Sequence, residues 1–260
     1  MPRSLNGKAI IVTGASSGIG RSIAVELARH GAELWLVGRS VDELAVTEAM
    51  IDEAGGPPAH SAPMDLRSRG PLAALIADVG VNHPHLFSLI NNAGVMYPEP
   101  ILKGTIDRWQ AMFDINVIAM LEGSQRAIEV MRAHGKPGHI INIGSVQARF
   151  EVPGVYGITK QAVEAIGASL RDELEQDDIR VATIVPGGFA TQLARGFQPE
   201  SLDNVMRGFA SLGLEFGGPG TDRVISDPQH IANMVRYILE LPIDLHIQEV
   251  VIRPPVSTKA

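Results

Sequence analysis

The chain contains no cysteine, which excludes disulfides, thiolate metal sites and cysteine nucleophiles. It also lacks a basic stripe, because 22 basic residues stand against 29 acidic ones and the net charge of −7 repels nucleic acid and anionic membranes. No apolar run reaches the ~18 residues of a membrane-spanning helix, and the N-terminal run is too short for a signal sequence. We therefore expect a cytoplasmic protein without nucleic-acid or membrane partners.

Metal binding is not expected either. The eight histidines are scattered, and the two that lie close together, His83 and His85, flank a proline in a predicted loop. Any active site must therefore use hydroxyl, amide, amine or carboxylate groups.

The size and composition favour one folded unit over residues 1–260. A chain of 260 residues with 45% hydrophobic and 20% charged residues has the balance of a soluble globular protein with one large core. The glycine and proline clusters at 55–58, 83–85 and 136–138 fall between predicted elements and indicate turns, so we find no domain boundary.

Short apolar runs alternate with longer amphipathic ones along most of the chain. The strand-length runs are KAIIVTG, ELWLVGR, AHSAPMD, LFSLINNAG, GHIINIGS, IRVATIVPGG and IQEVVIRP. Helix-length runs between them include RSIAVELARHG, a long one around residues 109–135 and the segment that carries Tyr156. The alternation predicts an α/β fold with a doubly wound parallel sheet of the Rossmann type.

Residues 192–228 interrupt this alternation and are rich in Gly, Phe and Leu. A long insertion after the carboxyl end of a strand is where α/β proteins keep binding loops. We therefore predict a substrate lid over residues 192–228.

A glycine-rich turn, TGASSGIG, lies between the first strand and the first helix. Glycines in this place let backbone N–H groups and a helix N-terminus approach a pyrophosphate. The turn predicts dinucleotide binding by Gly14, Ser16, Ser17, Gly18, Ile19 and Gly20.

The end of the second strand bears on which dinucleotide binds. The sequence there is Val37-Gly38-Arg39-Ser40, with no acid to hold a ribose 2′-hydroxyl and a guanidinium suited to the 2′-phosphate of NADP. NADP is therefore favoured over NAD. After the third strand, Asp65 either accepts a hydrogen bond from the adenine amino group, with Leu66 beside it, or begins a turn, and we favour the first.

Tyr156 and Lys160 are four positions apart in a predicted helix, so their side chains lie on one face. An ammonium close to a phenol favours the phenolate and lowers the phenol pKa from its usual value near ~10. Such a pair is suited to proton transfer at an oxygen atom.

Several motifs together resemble the short-chain dehydrogenase/reductase family, from Lys8 to about Pro254. They are TGASSGIG at 13–20, NNAG at 91–94, Asn116, Ser145, Tyr156 with Lys160, and PGG at 186–188. The resemblance implies a single-domain fold of about seven parallel strands, homodimers or homotetramers, and hydride transfer between NAD(P) and an alcohol or ketone.

The resemblance also implies roles for individual residues. Tyr156 would be the acid/base, Lys160 would lower its pKa and bind the nicotinamide ribose, and Ser145 would hydrogen-bond the substrate oxygen. Asn116 would interrupt helical bonding and hold a water that links Lys160 to solvent. The further cofactor contacts would be Asn91, Ala93 and Gly94 on the adenosine side, and Pro186, Gly187, Phe189 and Thr191 at the nicotinamide amide.

Two features bear on the substrate. Ser145 and Tyr156 are eleven positions apart, a shorter separation than the family usually shows, so the loop beside the substrate pocket is expected to be tight. The motifs HIINIGS, VYGITK and IQEVVIRP are also similar to a bacterial branch of NADP-dependent enzymes that act on 3-hydroxy acids and related alcohols. The carboxylate of such an acid would need a cation, and the candidates are Arg149, Arg195 and Arg207. Apolar lid residues favour an apolar ketone instead: Phe189, Leu193, Phe197, Leu202, Met206 and Phe209.

Two other functions remain open. A regulatory protein could bind the dinucleotide without chemistry, but it has no need for the set of Asn116, Ser145, Tyr156 and Lys160. A sugar-nucleotide epimerase or dehydratase is disfavoured because the chain leaves little room for a separate substrate domain.

Overall fold

The computed structural model describes residues 4–193, 197 and 199–256. Its strands are β1 (Ala9–Thr13), β2 (Glu33–Gly38), β3 (His60–Pro63), β4 (Leu86–Asn91), β5 (Gly138–Ile143), β6 (Ile179–Pro186) and β7 (Glu249–Ile252). Its α-helices are α1 (Gly18–Arg29), α2 (Val41–Glu53), α3 (Pro71–Asn82), α4 (Ile106–Phe113), α5 (Ala119–His134), α6 (Gly154–Glu173), α7 (Pro199–Ser211) and α8 (Gln229–Glu240).

The seven strands form one parallel sheet in the order β3-β2-β1-β4-β5-β6-β7. The chain moves outward from β1 to β3, then returns to the other side of β1 and moves outward again from β4 to β7. The sheet order therefore reverses between β1 and β4, where doubly wound folds bind ligands at the carboxyl ends of the strands. This confirms the predicted Rossmann-type fold.

Helices cover both faces of the sheet, which is why the central strands are apolar almost throughout. On one face, β-strand residues such as Ile10 and Ile141 pack against α1, α2 and α8. On the other face, residues such as Ile11 and Ile140 pack against α3 and α5 and the end of α6. Every residue of β1, β4 and β5 is buried, as a sheet covered on both faces requires.

The structure differs from the sequence prediction in the helices of its middle part. The long helix expected around 109–135 is divided into α4, a π-helical turn at Asp114–Ile118, and α5, which ends at Gly135 in the left-handed conformation. The alternation pattern did not identify α3, whose sequence PLAALIADVGVN is too uniformly apolar for a clear period. The segment predicted as a lid contains α7 and a 3₁₀ turn at Thr221–Arg223, and residues 194–196 and 198 lie outside the described residues.

Within the described part of the chain, no helix has both the length and the apolar content needed to cross a membrane.

Candidate active site

The glycine turn packs closely against both β4 and its own helix. Gly14 has a φ of +68°, and a Cβ added there would lie 2.8 Å from Nδ2 of Asn92 and 2.9 Å from Cα of Ala93. A Cβ on Gly20 would lie 2.2 Å from the Gly14 carbonyl oxygen. Only glycine therefore fits at these two positions. Ser17 is the N-cap residue of α1 but makes no side-chain capping bond, so the first N–H groups of α1 face the turn.

Thr13 joins the two strands at the reversal point. Its hydroxyl donates to the carbonyl of Ile90 (3.1 Å) and accepts from the N–H groups of Asn92 and Ala93, both at 3.0 Å. The Asn92 amide also donates to the Thr13 carbonyl at 2.8 Å. The predicted contacts Ala93 and Gly94 are thus held beside the glycine turn. Asn91 instead donates to Ser124 and to Asn142, at 2.9 Å each, inside the sheet.

The ends of β2 and β3 bring Arg39 and Asp65 together. Arg39 is exposed, and Asp65 accepts from the backbone N–H of Arg67 at 3.0 Å and from its guanidinium at 2.9 Å. The Arg67 hydrogen bond, helped by the charge of Arg39, lowers the pKa of the Asp65 carboxyl. In the structure Asp65 begins a turn and is bound to a second arginine that the sequence did not single out, and Leu66 is buried in the core. The contact of Asp65 with the adenine amino group stays a prediction.

Tyr156 and Lys160 lie on one face of α6, and both are buried. The Lys160 ammonium donates to the carbonyl of Ile143 at 2.7 Å and lies 5.9 Å from the centroid of the Tyr156 ring. Ser145, two residues beyond β5, hydrogen-bonds with Tyr156 and also accepts from the N–H of Gln147 at 3.2 Å. The structure therefore brings Ser145, Tyr156 and Lys160 together despite the short connection between the first two.

Burial sets the proton affinities of this pair. Loss of hydration raises the pKa of Tyr156 to about 12, although the hydrogen bond with Ser145 works in the opposite direction. The same loss lowers the pKa of Lys160 to about 8. The expected lowering of the tyrosine pKa by Lys160 is not found in this structure. The reason is that the ammonium is directed at a backbone carbonyl, so the cost of burying a phenolate dominates.

Asn116 lies in the π-helical turn and is buried. The side-chain oxygen of Asn116 accepts from the backbone N–H of Val95 at 2.9 Å. The side-chain amide nitrogen donates to the Val95 carbonyl and to the Thr159 hydroxyl, both at 3.0 Å. A Cβ on Gly94 would lie 3.3 Å from the Asn116 oxygen and 3.7 Å from the Lys160 nitrogen. Asn116 therefore connects the loop after β4 to α6, beside Lys160.

The segment after β6 lies across the glycine turn. The N–H of Gly187 donates to the Ile252 carbonyl at 2.8 Å, so Pro186 and Gly187 are fixed against β7. Phe189 forms an isolated parallel bridge with Ser226. Thr191 contacts the start of α1, since a Cβ on Gly18 would lie 3.1 Å from the Thr191 Cβ. The structure thus brings the predicted nicotinamide contact Thr191 to the glycine turn.

Of the arginines considered for a substrate carboxylate, Arg149 is already paired with acidic side chains. Arg149 pairs with Glu249 at 2.7 Å and with Glu164 at 3.3 Å. Arg207 is exposed on α7, and Arg195 lies outside the described residues. Among the apolar lid residues, Phe209 is buried against Phe216, Leu202 and Met206 are exposed, and Phe189, Leu193 and Phe197 are partly buried.

The residues present fit a nicotinamide dinucleotide. Gly14 and Gly20 let the turn pack closely against the start of α1, whose first N–H groups carry no side-chain cap and can donate to a pyrophosphate. A small cavity of about 10 Å³, roughly the space of one water, lies at the carboxyl ends of β1, β4 and β5 between Thr13, Ala93, Asn116 and Lys160. A ligand that extends from the glycine turn toward Lys160 would cross the reversal point of the sheet.

The comparisons with known proteins agree with this geometry. Residues 8–201 match the family model described as short chain dehydrogenase. The chain belongs to the short-chain dehydrogenase family.

Individual relatives cover nearly the whole chain. An uncharacterised oxidoreductase of Staphylococcus haemolyticus is 31% identical over 252 residues, which are 96% of this chain and 98% of the relative. The crystal structure of a metagenomic short-chain oxidoreductase in complex with NADP is 29% identical, with a TM-score of 0.77 over 97% of this chain and 99% of that one. A short-chain type dehydrogenase/reductase from Mycobacterium marinum, 22% identical, shares the fold with a TM-score of 0.83 over 97% of this chain and 96% of that one. The protein is thus a nicotinamide-dependent oxidoreductase of the short-chain dehydrogenase family.

Proposed function

We propose that the protein interconverts an alcohol and a ketone with NADP(H), and that Tyr156 is its acid/base. The observation that carries the proposal is the meeting of Ser145, Tyr156 and Lys160 at the carboxyl edge of the sheet, next to the glycine turn. In the balanced reaction, a ketone, NADPH and one proton give an alcohol and NADP⁺. When bound, the dinucleotide supplies or accepts the hydride.

The side chains divide the remaining work. The Tyr156 hydroxyl gives its proton to the carbonyl oxygen during reduction and takes it back during oxidation. The Ser145 hydroxyl hydrogen-bonds the same oxygen and stabilises the charge that develops there. Lys160 places a positive charge beside the tyrosine, and Asn116 holds the loop and helix on either side of Gly94. A phenol pKa of about 12 keeps Tyr156 protonated at neutral pH, which is the state that gives a proton to a ketone oxygen.

The cofactor preference rests on charge at the end of β2. Arg39 and Arg67 both lie near Asp65, and the residue after Val37 is a glycine, so no carboxylate follows the strand to receive a ribose 2′-hydroxyl. The exposed guanidinium of Arg39 suits a 2′-phosphate. The structural relative that is 29% identical was solved with NADP, which supports the same choice.

The substrate is proposed to be uncharged. Arg149, four positions after Ser145, pairs with two glutamates, and this pairing competes with binding of a substrate carboxylate. The sulfur of Met96 lies 3.7 Å from the side-chain amide of Gln147. The loop after β4 therefore adds an apolar side chain beside the segment between Ser145 and Tyr156. We propose residues 192–228 as a lid within one catalytic unit that acts as a homo-oligomer.

Replacement of Tyr156 by phenylalanine tests the proposal. The Tyr156→Phe variant should lose at least about a thousandfold in kcat for ketone reduction, since the proton donor is gone, while NADPH still binds. NADPH oxidation with a panel of neutral ketones measures the rate, and fluorescence titration measures binding.

The same assay separates the alternatives. Substantial turnover by Tyr156→Phe would remove the acid/base role. Binding of NADPH by the wild type without turnover on any ketone would favour a regulatory protein, and a wild-type preference for NADH would contradict the cofactor assignment.

A further inference from the structure

Arg21 connects the glycine turn to α2. It lies in the first turns of α1, and its guanidinium donates to the hydroxyl of Thr47 at 3.0 Å and to the carboxylate of Glu43 at 2.7 Å. It also donates to the backbone carbonyls of Glu43, at 3.1 Å, and of Ser16. Thr47 completes the connection by donating to the carbonyl of Ala15 at 3.0 Å. One side chain therefore fixes both the turn and the first residues of α2.

This contact determines where the Glu43 carboxylate points. Ser40 caps α2 by accepting from the N–H of Glu43 at 3.2 Å, and the sequence from Ser40 to Glu43 has the Ser-x-x-Glu spacing of a capping box. In a capping box the glutamate reaches back to the N–H of the capping residue. Here Glu43 pairs with Arg21 of α1 at 2.7 Å instead of closing the capping box on Ser40.

The same place is where a 2′-phosphate would be held. Gly38 and Arg39 end β2, and Ser16 lies against them: a Cβ on Gly38 would be 3.2 Å from the Ser16 hydroxyl oxygen. A phosphate monoester carries a charge of about −1.5 to −2 at neutral pH. A glutamate carboxylate turned toward Ser40 would repel this group, whereas one neutralised by a guanidinium would not.

We propose that Arg21 is a positioning residue for NADP(H). By pairing with Glu43 and holding the Ser16 carbonyl, it keeps the Glu43 carboxylate out of the 2′-phosphate site and holds the Ser16 side chain against Gly38, the residue before Arg39. The inference rests on the proposed function, since it concerns the cofactor assigned there. Neither Arg21 nor Glu43 contacts the substrate, so the expected effect is on the choice of cofactor and not on the chemical step.

Binding of two nucleotide fragments to the full-length protein tests this inference. 2′,5′-ADP carries the 2′-phosphate and 5′-AMP does not, and isothermal titration calorimetry measures both affinities. Removal of the guanidinium in Arg21→Met should lower the affinity for 2′,5′-ADP by about tenfold and the affinity for 5′-AMP by much less. The reason is that the unpaired Glu43 carboxylate repels the 2′-phosphate, which only 2′,5′-ADP carries. In Arg21→Met/Glu43→Gln the repelling charge is gone, so most of the lost affinity for 2′,5′-ADP should return.

Two further variants serve as controls. Glu43→Gln alone should bind 2′,5′-ADP at least as tightly as the wild type, and this result holds even if Arg21→Met does not fold. Glu53→Gln changes the same charge at the far end of α2, about 15 Å away along the helix, and should leave the ratio of the two affinities unchanged.

The results distinguish a failure of this inference from a failure of the proposed cofactor assignment. Three results would each overturn the role of Arg21 while the preference for NADP(H) stands. They are an equal loss of affinity for both fragments in Arg21→Met, no recovery of affinity in the double variant, and weaker binding of 2′,5′-ADP by Glu43→Gln. If the wild type binds both fragments equally, the assignment of NADP(H) and the role of Arg21 are both wrong.

Discussion

At the residue scale, Lys160 combines a required charge with an unfavourable location. Its ammonium is buried, its one hydrogen bond among the described residues goes to a backbone carbonyl, and its pKa is about 8. A group with these properties changes its protonation within the range where enzymes are assayed. It should therefore determine both the pH dependence of the activity and part of the stability of the protein.

Ketone reduction should fall on the alkaline side. Lys160 keeps its proton below pH about 8 and loses it above, while Tyr156, with a pKa of about 12, stays protonated throughout. The pH profile of kcat/KM reports on the free enzyme and should show a decline with an apparent pKa near 8. A profile that stays level to about pH 9.5 would contradict the assignment, and Lys160→Arg, which keeps its charge, is the control.

Removal of this charge should stabilise the fold while abolishing activity. The folded pKa lies below the unfolded value of 10.5, so folding opposes protonation and the full cost is present below pH 8. Lys160→Met should therefore raise the free energy of unfolding at pH 7 by about 2 kcal/mol, after allowance for the lost hydrogen bond to Ile143. Urea unfolding measures the difference, which should shrink as the pH rises toward 10.5, and a less stable variant at pH 7 would disprove this reasoning.

At the element scale, the position of α6 on the sheet depends on a single glycine. A Cβ on Gly167 would lie 2.7 Å from the hydroxyl of Thr183 in β6 and 3.5 Å from the amide of Asn142 in β5. These two polar atoms are buried, and neither has a hydrogen-bond partner among the described residues. The close approach of helix and sheet places Tyr156 and Lys160, which precede Gly167 on the same helix.

Gly167→Ala should displace α6 and weaken the enzyme. Overpacking of this kind costs about 1–3 kcal/mol of stability, and a small shift of α6 also moves Tyr156 relative to Ser145, so kcat should fall. Thermal unfolding and steady-state kinetics measure the two effects. Thr183→Ala, combined with Gly167→Ala, removes the obstructing oxygen and should restore much of both. Failure of the double variant to recover would mean that Thr183 is not the obstacle.

The sequence predicted the elements better than their ends and contacts. Strand-length runs located the seven strands, and the central runs are apolar because the sheet is covered on both faces there. The spacing of Tyr156 and Lys160 predicted a shared helical face. It could not show that Lys160 would donate to Ile143, since that contact depends on how α6 lies on β5. The pairing of Arg149 with Glu249 was also beyond reach, because it joins residues a hundred positions apart.

At the scale of the whole molecule, the amino ends of the strands carry a group unrelated to catalysis. His139, near the start of β5, is buried against the ring of Phe87, and its Nδ1 has no hydrogen-bond partner among the described residues. Burial lowers its pKa to about 4, and the positive charges of Lys8, Arg180, His246 and His85 act in the same direction. The folded protein therefore excludes a proton that the unfolded chain accepts.

Acid should destabilise the protein through this histidine. Its folded pKa is below the unfolded value of 6.5, so stability is complete above 6.5 and is lost as the pH falls toward 4, by up to about 3 kcal/mol. Denaturant unfolding between pH 4 and 7 should show this slope in the wild type and a smaller one in His139→Phe. His230→Gln, at an exposed histidine, is the control. An unchanged slope in His139→Phe would assign acid sensitivity to other groups.

The reversal of strand order between β1 and β4 also limits when the protein can fold during its synthesis. The Asn92 N–H bonds the Thr13 hydroxyl, a partner 79 residues earlier in the chain. At a ribosomal rate of about 5–20 residues per second, roughly 4–16 s pass before the residues that pair with the second edge of β1 are synthesised, and its backbone N–H and C=O groups on that edge stay unpaired for this time. The nascent chain must therefore shield its first strand from aggregation for several seconds before the site can begin to assemble.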